Sequence, residues 1–232
     1  MCGRYTLRVS PAELAEIFAV LNSIEWEPRF NIAPTQMVPA VRMDGAARVA
    51  ASLRWGLVPW WANDMSIGAR MINARSESVD TNRAFRDAFR RHRCLIPADG
   101  FYEWKKAGKE RQPYNFSLKD DSLFAFASIW DRWKSPAGAK IESCSILTTE
   151  ANSLVVRIHD RMPVILPRRH YEAWLTTPEA QAEKLKELLV PLDPALMKSY
   201  PVSRLVNKPD NDGPECAQEI SLQETGTLDL WG

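Results

Sequence analysis

Apolar positions along the chain follow two rhythms. Leu14, Ile17, Phe18 and Leu21 recur at three- and four-residue spacing, which is one face of a helix. Ser10-Pro11-Ala12-Glu13 stands just ahead as a start signal, with Ser10 to cap, Pro11 in the first helical position and Glu13 to close a capping box. A second helix is predicted over residues 81–91, with Ala84, Phe85, Ala88 and Phe89 as its apolar face. Arg90, Arg91 and Arg93 gather near its end, where cations complement the helix dipole or meet phosphate. Further helical stretches are predicted over residues 170–175 and 180–189. Elsewhere the apolar positions come in short or alternating runs, at residues 38–41, 49–53, 94–96, 114–118, 123–129, 144–148 and 162–166. Polar turns such as Lys105-Lys106-Ala107-Gly108-Lys109 separate these strand-like runs. The pattern predicts one α+β domain of mainly antiparallel, barrel-like curved sheets with peripheral helices.

Composition agrees with a sizeable core: of 232 residues, 45% are hydrophobic and 25% charged. Nine tryptophans are many for this length, and tryptophan often stacks on ligands at surfaces. The net charge of +1 conceals an asymmetry. From Pro209 onward there is no Lys or Arg, but six acids: Asp210, Asp212, Glu215, Glu219, Glu224 and Asp229. The remainder is therefore basic, and compatible with a polyanion partner. Domain boundaries follow at residues 1–210 for the folded body and 211–232 for an acidic, partly disordered tail. Four scattered cysteines, no CxxC pair and only three histidines give no metal-site or disulfide framework, so no cofactor is expected. The first twenty residues carry charges that break any signal sequence, and no apolar run reaches the roughly 18 residues of a membrane span. A cytoplasmic monomer is expected.

Against this background Cys2 stands out. Removal of Met1 would leave a cysteine at the chain's start, with an α-amine and a thiol on adjacent carbons. Their reference pKa values, about 7.7–8.0 and about 8.5, leave both with nucleophilic forms near neutrality. An aldehyde would meet the amine first and form an imine; the thiol would then close a five-membered thiazolidine. That closure is intramolecular, and such steps can reach effective molarities of about 10⁵ M or more. A position beside the start codon could equally carry a cysteine with no chemical role.

Other polar residues sit where propensity does not explain them. Trp60 and Trp61 are adjacent, so in an extended backbone they face opposite ways; one could be a stacking platform or both could cap the core edge. Glu103 lies between Tyr102 and Trp104, where apolar company raises a carboxyl pKa. His159, beside Asp160 and Arg161, is a candidate acid or base. Asn73 and Arg75 share a face by strand alternation, one suited to orienting an amine, the other to clamping an anion.

Together the ordered stretches Cys2-Gly3-Arg4, Phe30-Asn31-Ile32-Ala33-Pro34, Trp55-Gly56-Leu57-Val58-Pro59-Trp60-Trp61, Ile72-Asn73-Ala74-Arg75-Ser76-Glu77, Cys94 to Trp104 and Ile158-His159-Asp160-Arg161-Met162-Pro163 resemble the SOS-response-associated peptidase (SRAP) family, over about residues 2–210. The resemblance implies the SRAP fold and an abasic-site sensor. That sensor would form a covalent thiazolidine crosslink with the ring-opened sugar in single-stranded DNA and shield it. The activity would be lyase-like and largely single-turnover, with peptidase self-processing at Met1. By the resemblance, Cys2 is the nucleophile, Asn73 holds its amine, and Glu103 and His159 move protons. Arg4, Arg75 and Arg161 look like phosphate clamps, Trp60 and Trp61 like a wedge against bases, and Pro34 like part of the same groove. Two other readings of the residues stay open: an N-terminal-nucleophile cysteine hydrolase, and a non-catalytic single-stranded DNA-binding module.

Overall fold

The computed structural model describes residues 2–108, 110–135 and 137–222. Among the described residues thirteen strands form two sheets. In chain order they are β1 (Tyr5–Leu7), β2 (Arg29–Ile32), β3 (Met37–Asp44), β4 (Ala47–Trp55), β5 (Asn73–Arg75), β6 (Arg93–Ala98), β7 (Gly100–Ala107), β8 (Glu110–Leu118), β9 (Phe124–Lys134), β10 (Lys140–Glu150), β11 (Arg161–Pro163), β12 (Ile165–Leu166) and β13 (Met197–Pro201). Strands β4, β3, β6, β9 and β10 pair in that order, and β10 returns to β4, so five strands close into a barrel. All pairs in the ring are antiparallel except β10 with β4. The second sheet has the order β13-β8-β7-β1-β2. The expected fold class, an α+β domain of mainly antiparallel curved sheets, is the one observed.

The barrel strands bury apolar side chains on both faces, Leu53, Trp55, Phe126 and Ile146 on one and Leu95 and Ile129 on the other, and all six are fully enclosed. Tyr5 of β1 meets the Trp55 ring edge-on at 5.4 Å, which joins the second sheet to the barrel. Three short helices sit outside: α1 (Pro11–Phe18), α2 (Arg86–Arg91) and α3 (Tyr171–Thr176). Phe18 stacks on Tyr171 at 5.7 Å and ties α1 to α3.

The corner between β6 and β7 positions the start of the chain. Asp99 donates its backbone N–H to Thr6 O at 3.0 Å, while its carboxylate accepts from the Thr6 hydroxyl and, at 2.7 Å, from Arg8 N. A Cβ on Gly100 would stand 2.8 Å from Thr6 Oγ1, so only glycine lets β7 lie this close to β1.

The elements differ from the sequence reading at five places. The capping box forms at Ser10 and Glu13, but α1 stops at Phe18 because Ala19 turns left-handed at φ 51°; Leu21 falls beyond the helix and is 81% exposed. Helix α2 starts at Arg86, since residues 81–85 form turns with Asn82 O accepting from Phe85 N and Arg86 N. The stretch expected as a helix over 180–189 is a 3₁₀ helix, Glu179–Leu188. The run 162–166 divides at Val164 into β11 on β10 and β12 on β9. Residues 211–222, assigned to the acidic tail, are tied to β2: Asp212 accepts from Phe30 N at 2.7 Å and Asn31 N at 2.6 Å and pairs with Arg29. The rest of that expectation, residues 223–232, lies outside the described residues. Among the described residues no helix is long and apolar enough to cross a membrane.

Arg93 settles the role of one basic run. It is buried, and its guanidinium donates to Phe89 O at 2.9 Å, Arg90 O at 2.6 Å, Trp174 O at 2.7 Å and Thr177 O. It therefore caps α2 and joins it to α3. Arg93→Ala leaves these carbonyls unmatched, and denaturant unfolding is expected to show a loss of about 2–4 kcal/mol. Arg91→Ala removes only an exposed pair with Glu179 and is expected to cost less than about 1 kcal/mol.

Candidate active site

Strand β1 carries the chain's start directly into the interior, and Cys2 is fully enclosed. Asn73 on β5 donates from Nδ2 to Cys2 O at 2.8 Å. Its position is set one residue earlier, where Ile72 O accepts from Trp55 Nε1 at 2.9 Å and Ile146 N at 3.1 Å. The Asn73 Oδ1 atom is buried with no hydrogen-bond partner among the described residues. An orphaned acceptor beside Cys2 is suited to receive an amine.

Glu103 reaches the same place from β7. Tyr102 N donates to Arg4 O at 3.0 Å, which sets β7 against the residues just after Cys2. Glu103 is 2% exposed, and burial pushes its carboxyl up to about 7; the positive amino terminus pulls it down and Asp160 pushes it up. The Cys2 thiol is driven far above its ordinary value, first by burial and then by the charge of Glu103. Near neutrality Cys2 is thus a thiol, not a thiolate.

His159 follows a 3₁₀ turn, Val155–Arg157. Its Nδ1 accepts from Arg161 N at 3.0 Å and also lies 3.0 Å from Asp160 Oδ1. One nitrogen cannot accept from the amide and donate to the carboxylate together. Burial, then the positive amino terminus, lowers the His159 pKa, so we assign a neutral ring with Nδ1 as acceptor and the proton on Nε2. The exposed Asp160 is then a neighbour rather than a charge partner. Both Glu103 and His159 feel the charges of Asp160 and of the positive amino terminus, and Glu103 acts on the Cys2 thiol.

The residues expected to meet DNA divide by what already holds them. Trp60 is 61% exposed. Trp61 is half-buried with the Arg83 guanidinium 4.7 Å above its ring. Pro34 is half-buried at the end of β2. Arg75 is exposed on the same side of β5 as Asn73, with Ala74 turned inward. Arg161 makes a two-pronged contact with Glu77, at 2.5 and 2.9 Å, and donates to Thr148 O at 2.7 Å. Arg4 donates to Asn31 Oδ1 at 2.9 Å, Val206 O at 2.7 Å and Asn207 O at 3.3 Å, so it is already tied to the segment after β13.

Sequence reasoning did not single out Glu77, which aligns Arg161, although it closes the Ile72-to-Glu77 stretch. It also missed Asp131, whose only signal was an acid within the long strand β9. A cavity of about 870 Å³ lies elsewhere, between β12, α3 and the 188–196 segment. We take the Cys2 locus as the site, because there the titratable groups converge and an acceptor is orphaned. Among the described residues no cluster of three or more His, Cys, Asp or Glu is arranged to hold a metal ion.

A closed five-strand barrel thus encloses Cys2, with Asn73 bonded to its carbonyl and Glu103 acting on its thiol. The family described as SOS response associated peptidase (SRAP) matches residues 1–209, and the chain belongs to it. The Bacillus subtilis protein called abasic site processing protein YoqW is 42% identical over 219 residues, 93% of this chain and 98% of its own length. Abasic site processing protein HMCES of Xenopus tropicalis is 26% identical over 269 residues, covering 97% of this chain and 80% of its own. A crystal structure of a Bacteroides thetaiotaomicron protein matches with a TM-score of 0.85 at 25% identity, over 95% of this chain and all of that one.

Glu103 generates a stability prediction. Its unfolded value is the ordinary 4.5 and its folded value about 7. Between those pH values the folded state keeps a proton that the unfolded chain has lost, so stability falls as pH rises through that window. The expected loss is on the order of 3 kcal/mol. Denaturation of wild type and Glu103→Gln at pH 5 and pH 8 should show the variant losing much less between the two.

Proposed function

We propose that the chain captures abasic sites in single-stranded DNA as a thiazolidine at Cys2, shielding the lesion. Action at abasic DNA is supported by family membership and by the names its relatives carry. The observation that carries the covalent reading is the Asn73 carboxamide, bonded to Cys2 O on one side and holding an unmatched buried acceptor on the other.

The reaction follows from the protonation states. Met1 leaves first, by self-processing or by an aminopeptidase, and exposes the Cys2 amine. Asn73 Oδ1 accepts one of the amine's N–H bonds and aims its lone pair. The amine adds to C1′ of the ring-opened sugar, and the resulting carbinolamine loses water to give an imine. A Glu103 carboxyl with a value near 7 is half protonated at neutrality, so it can give a proton to the departing oxygen and take one back. The thiol then adds its sulfur to the imine carbon while its proton passes to the nitrogen. Neutral His159 is the second proton carrier, for sugar opening and for the return path. A buried thiol with a raised pKa is poor at attacking an amide directly, which disfavours the cysteine-hydrolase reading.

Arg75 supplies an exposed cation for phosphate, with Arg161 and Arg4 holding the rim from their intrachain partners. Trp60, Trp61 and Pro34 form the wall against which bases stack. The chain acts as a monomer in the cytoplasm, with no metal or cofactor.

Protein starting at Cys2, mixed with single-stranded DNA carrying one abasic site, is expected to give a heat-stable adduct on a denaturing gel. Cys2→Ala should give none unless borohydride reduces its imine; a stable adduct without borohydride would sink the thiazolidine reading. Glu103→Gln is expected to slow adduct formation about 100-fold and to flatten an inflection near pH 7 seen in wild type. Asn73→Ala, which loses one positioning hydrogen bond, should slow it about three- to tenfold.

A further inference from the structure

The loop over residues 56–62 carries the exposed Trp60, yet its backbone is held at alternate residues. Val58 N donates to Ser143 Oγ at 2.7 Å. Trp60 N donates to Asp131 Oδ2 at 3.0 Å. Ala62 O accepts from Trp133 Nε1 at 2.6 Å. These three side chains form one row: Asp131 and Trp133 are two apart on β9 and so share a face, and Ser143 stands opposite Asp131 in the β9–β10 ladder. Further in, Gly56 N donates to Cys144 O at 2.9 Å. Gly56 has a φ of 125° and packs against Gly68, whose carbonyl would lie 2.6 Å from any added Cβ. A loop built to cover the core would bury its largest side chain; this one fixes its backbone and leaves the Trp60 ring in solvent.

We propose that Asp131, with Ser143 and Trp133, is a positioning residue that holds Trp60 ready to stack on a base beside the abasic site. The proposal rests on the DNA-stacking reading above. Asp131 is 5% exposed, and its other oxygen accepts from Arg132 N at 2.8 Å and faces His92 Nδ1 at 3.8 Å. The carboxylate is thus aimed inward at the loop and is remote from direct contact with a polyanion. Its effect on binding runs through the Trp60 backbone. A platform ordered in advance loses less conformational entropy when a base arrives, which favours affinity without any new contact.

The test is a double-mutant cycle on binding, read by fluorescence anisotropy with single-stranded DNA carrying a tetrahydrofuran, which mimics the abasic sugar but has no aldehyde. Thermal melts confirm that each variant is folded. Trp60→Ala is expected to weaken binding about tenfold, the scale of one stacked base. Asp131→Ala should weaken it about three- to tenfold when Trp60 is present and less than twofold when Trp60 is already alanine. Asp131→Asn keeps an oxygen acceptor for Trp60 N and should restore near wild-type binding. Loss of a negative charge alone would instead tighten binding to DNA, so the sign separates the two effects. An equal loss in both Trp60 backgrounds, or none in either, overturns the positioning role and leaves the stacking reading intact. Wild-type affinity in Trp60→Ala defeats the stacking reading and the positioning role with it. Should Asp131→Ala fail to fold, Ser143→Ala carries the same cycle through Val58 N, with the same expectation.

Discussion

Residues near a chain end are usually among the least ordered of a domain, and here Cys2 is enclosed. The site is framed by the hydrogen bond from Asn73 Nδ2 to Cys2 O and by the separate strand pairings that hold each of the two residues. Strand β1 is only three residues long, too short to hold itself. It is kept in place by β2 and β7 on either side, by Asp99 at the β6–β7 corner, and by the Tyr5 ring against Trp55. Asn73 is anchored independently, through the Ile72 carbonyl and the parallel pairing of β5 with β10. The barrel therefore acts as a frame that sets the distance between Cys2 and the Asn73 carboxamide.

Enclosure also sets the protonation states. The same removal of water that keeps Cys2 a thiol leaves Glu103 with a proton near neutrality and His159 without a charge. The two shifts run in opposite senses because burial opposes charge of either sign. The outcome is a carboxyl that can give or take a proton and a neutral imidazole that carries its proton on Nε2. The proposed capture of an aldehyde would need proton shuttling of the kind that such buried groups can supply.

Much of this was legible in the residues, and the gaps have physical causes. The barrel strands announced themselves because burial on the inner face imposes apolar runs. Cys2 was nominated by its place after Met1, Glu103 by its aromatic neighbours, His159 by the acid and base beside it and Asn73 by strand alternation; the structure puts Asn73 on the Cys2 carbonyl. Strands β1, β2 and β13 were not foreseen, since three to five residues held by neighbours leave no periodicity of their own. Leu21 fitted a helical stripe that Ala19 terminates, and propensity gives no notice of a left-handed alanine. Glu77 and Asp131 escaped notice because their partners, Arg161 and the Trp60 amide, are distant in sequence. Arg4 was read as a phosphate clamp from its motif, and the structure adds its three acceptors in Asn31 and the 206–207 turn.

The most direct measurement is peptide mass spectrometry on the DNA adduct after nuclease digestion and treatment with iodoacetamide. The account predicts an N-terminal peptide beginning at Cys2, heavier by the abasic sugar less one water, with its sulfur inaccessible to alkylation. A sugar attached to a lysine, or a Cys2 that carries both sugar and carbamidomethyl group, would contradict it.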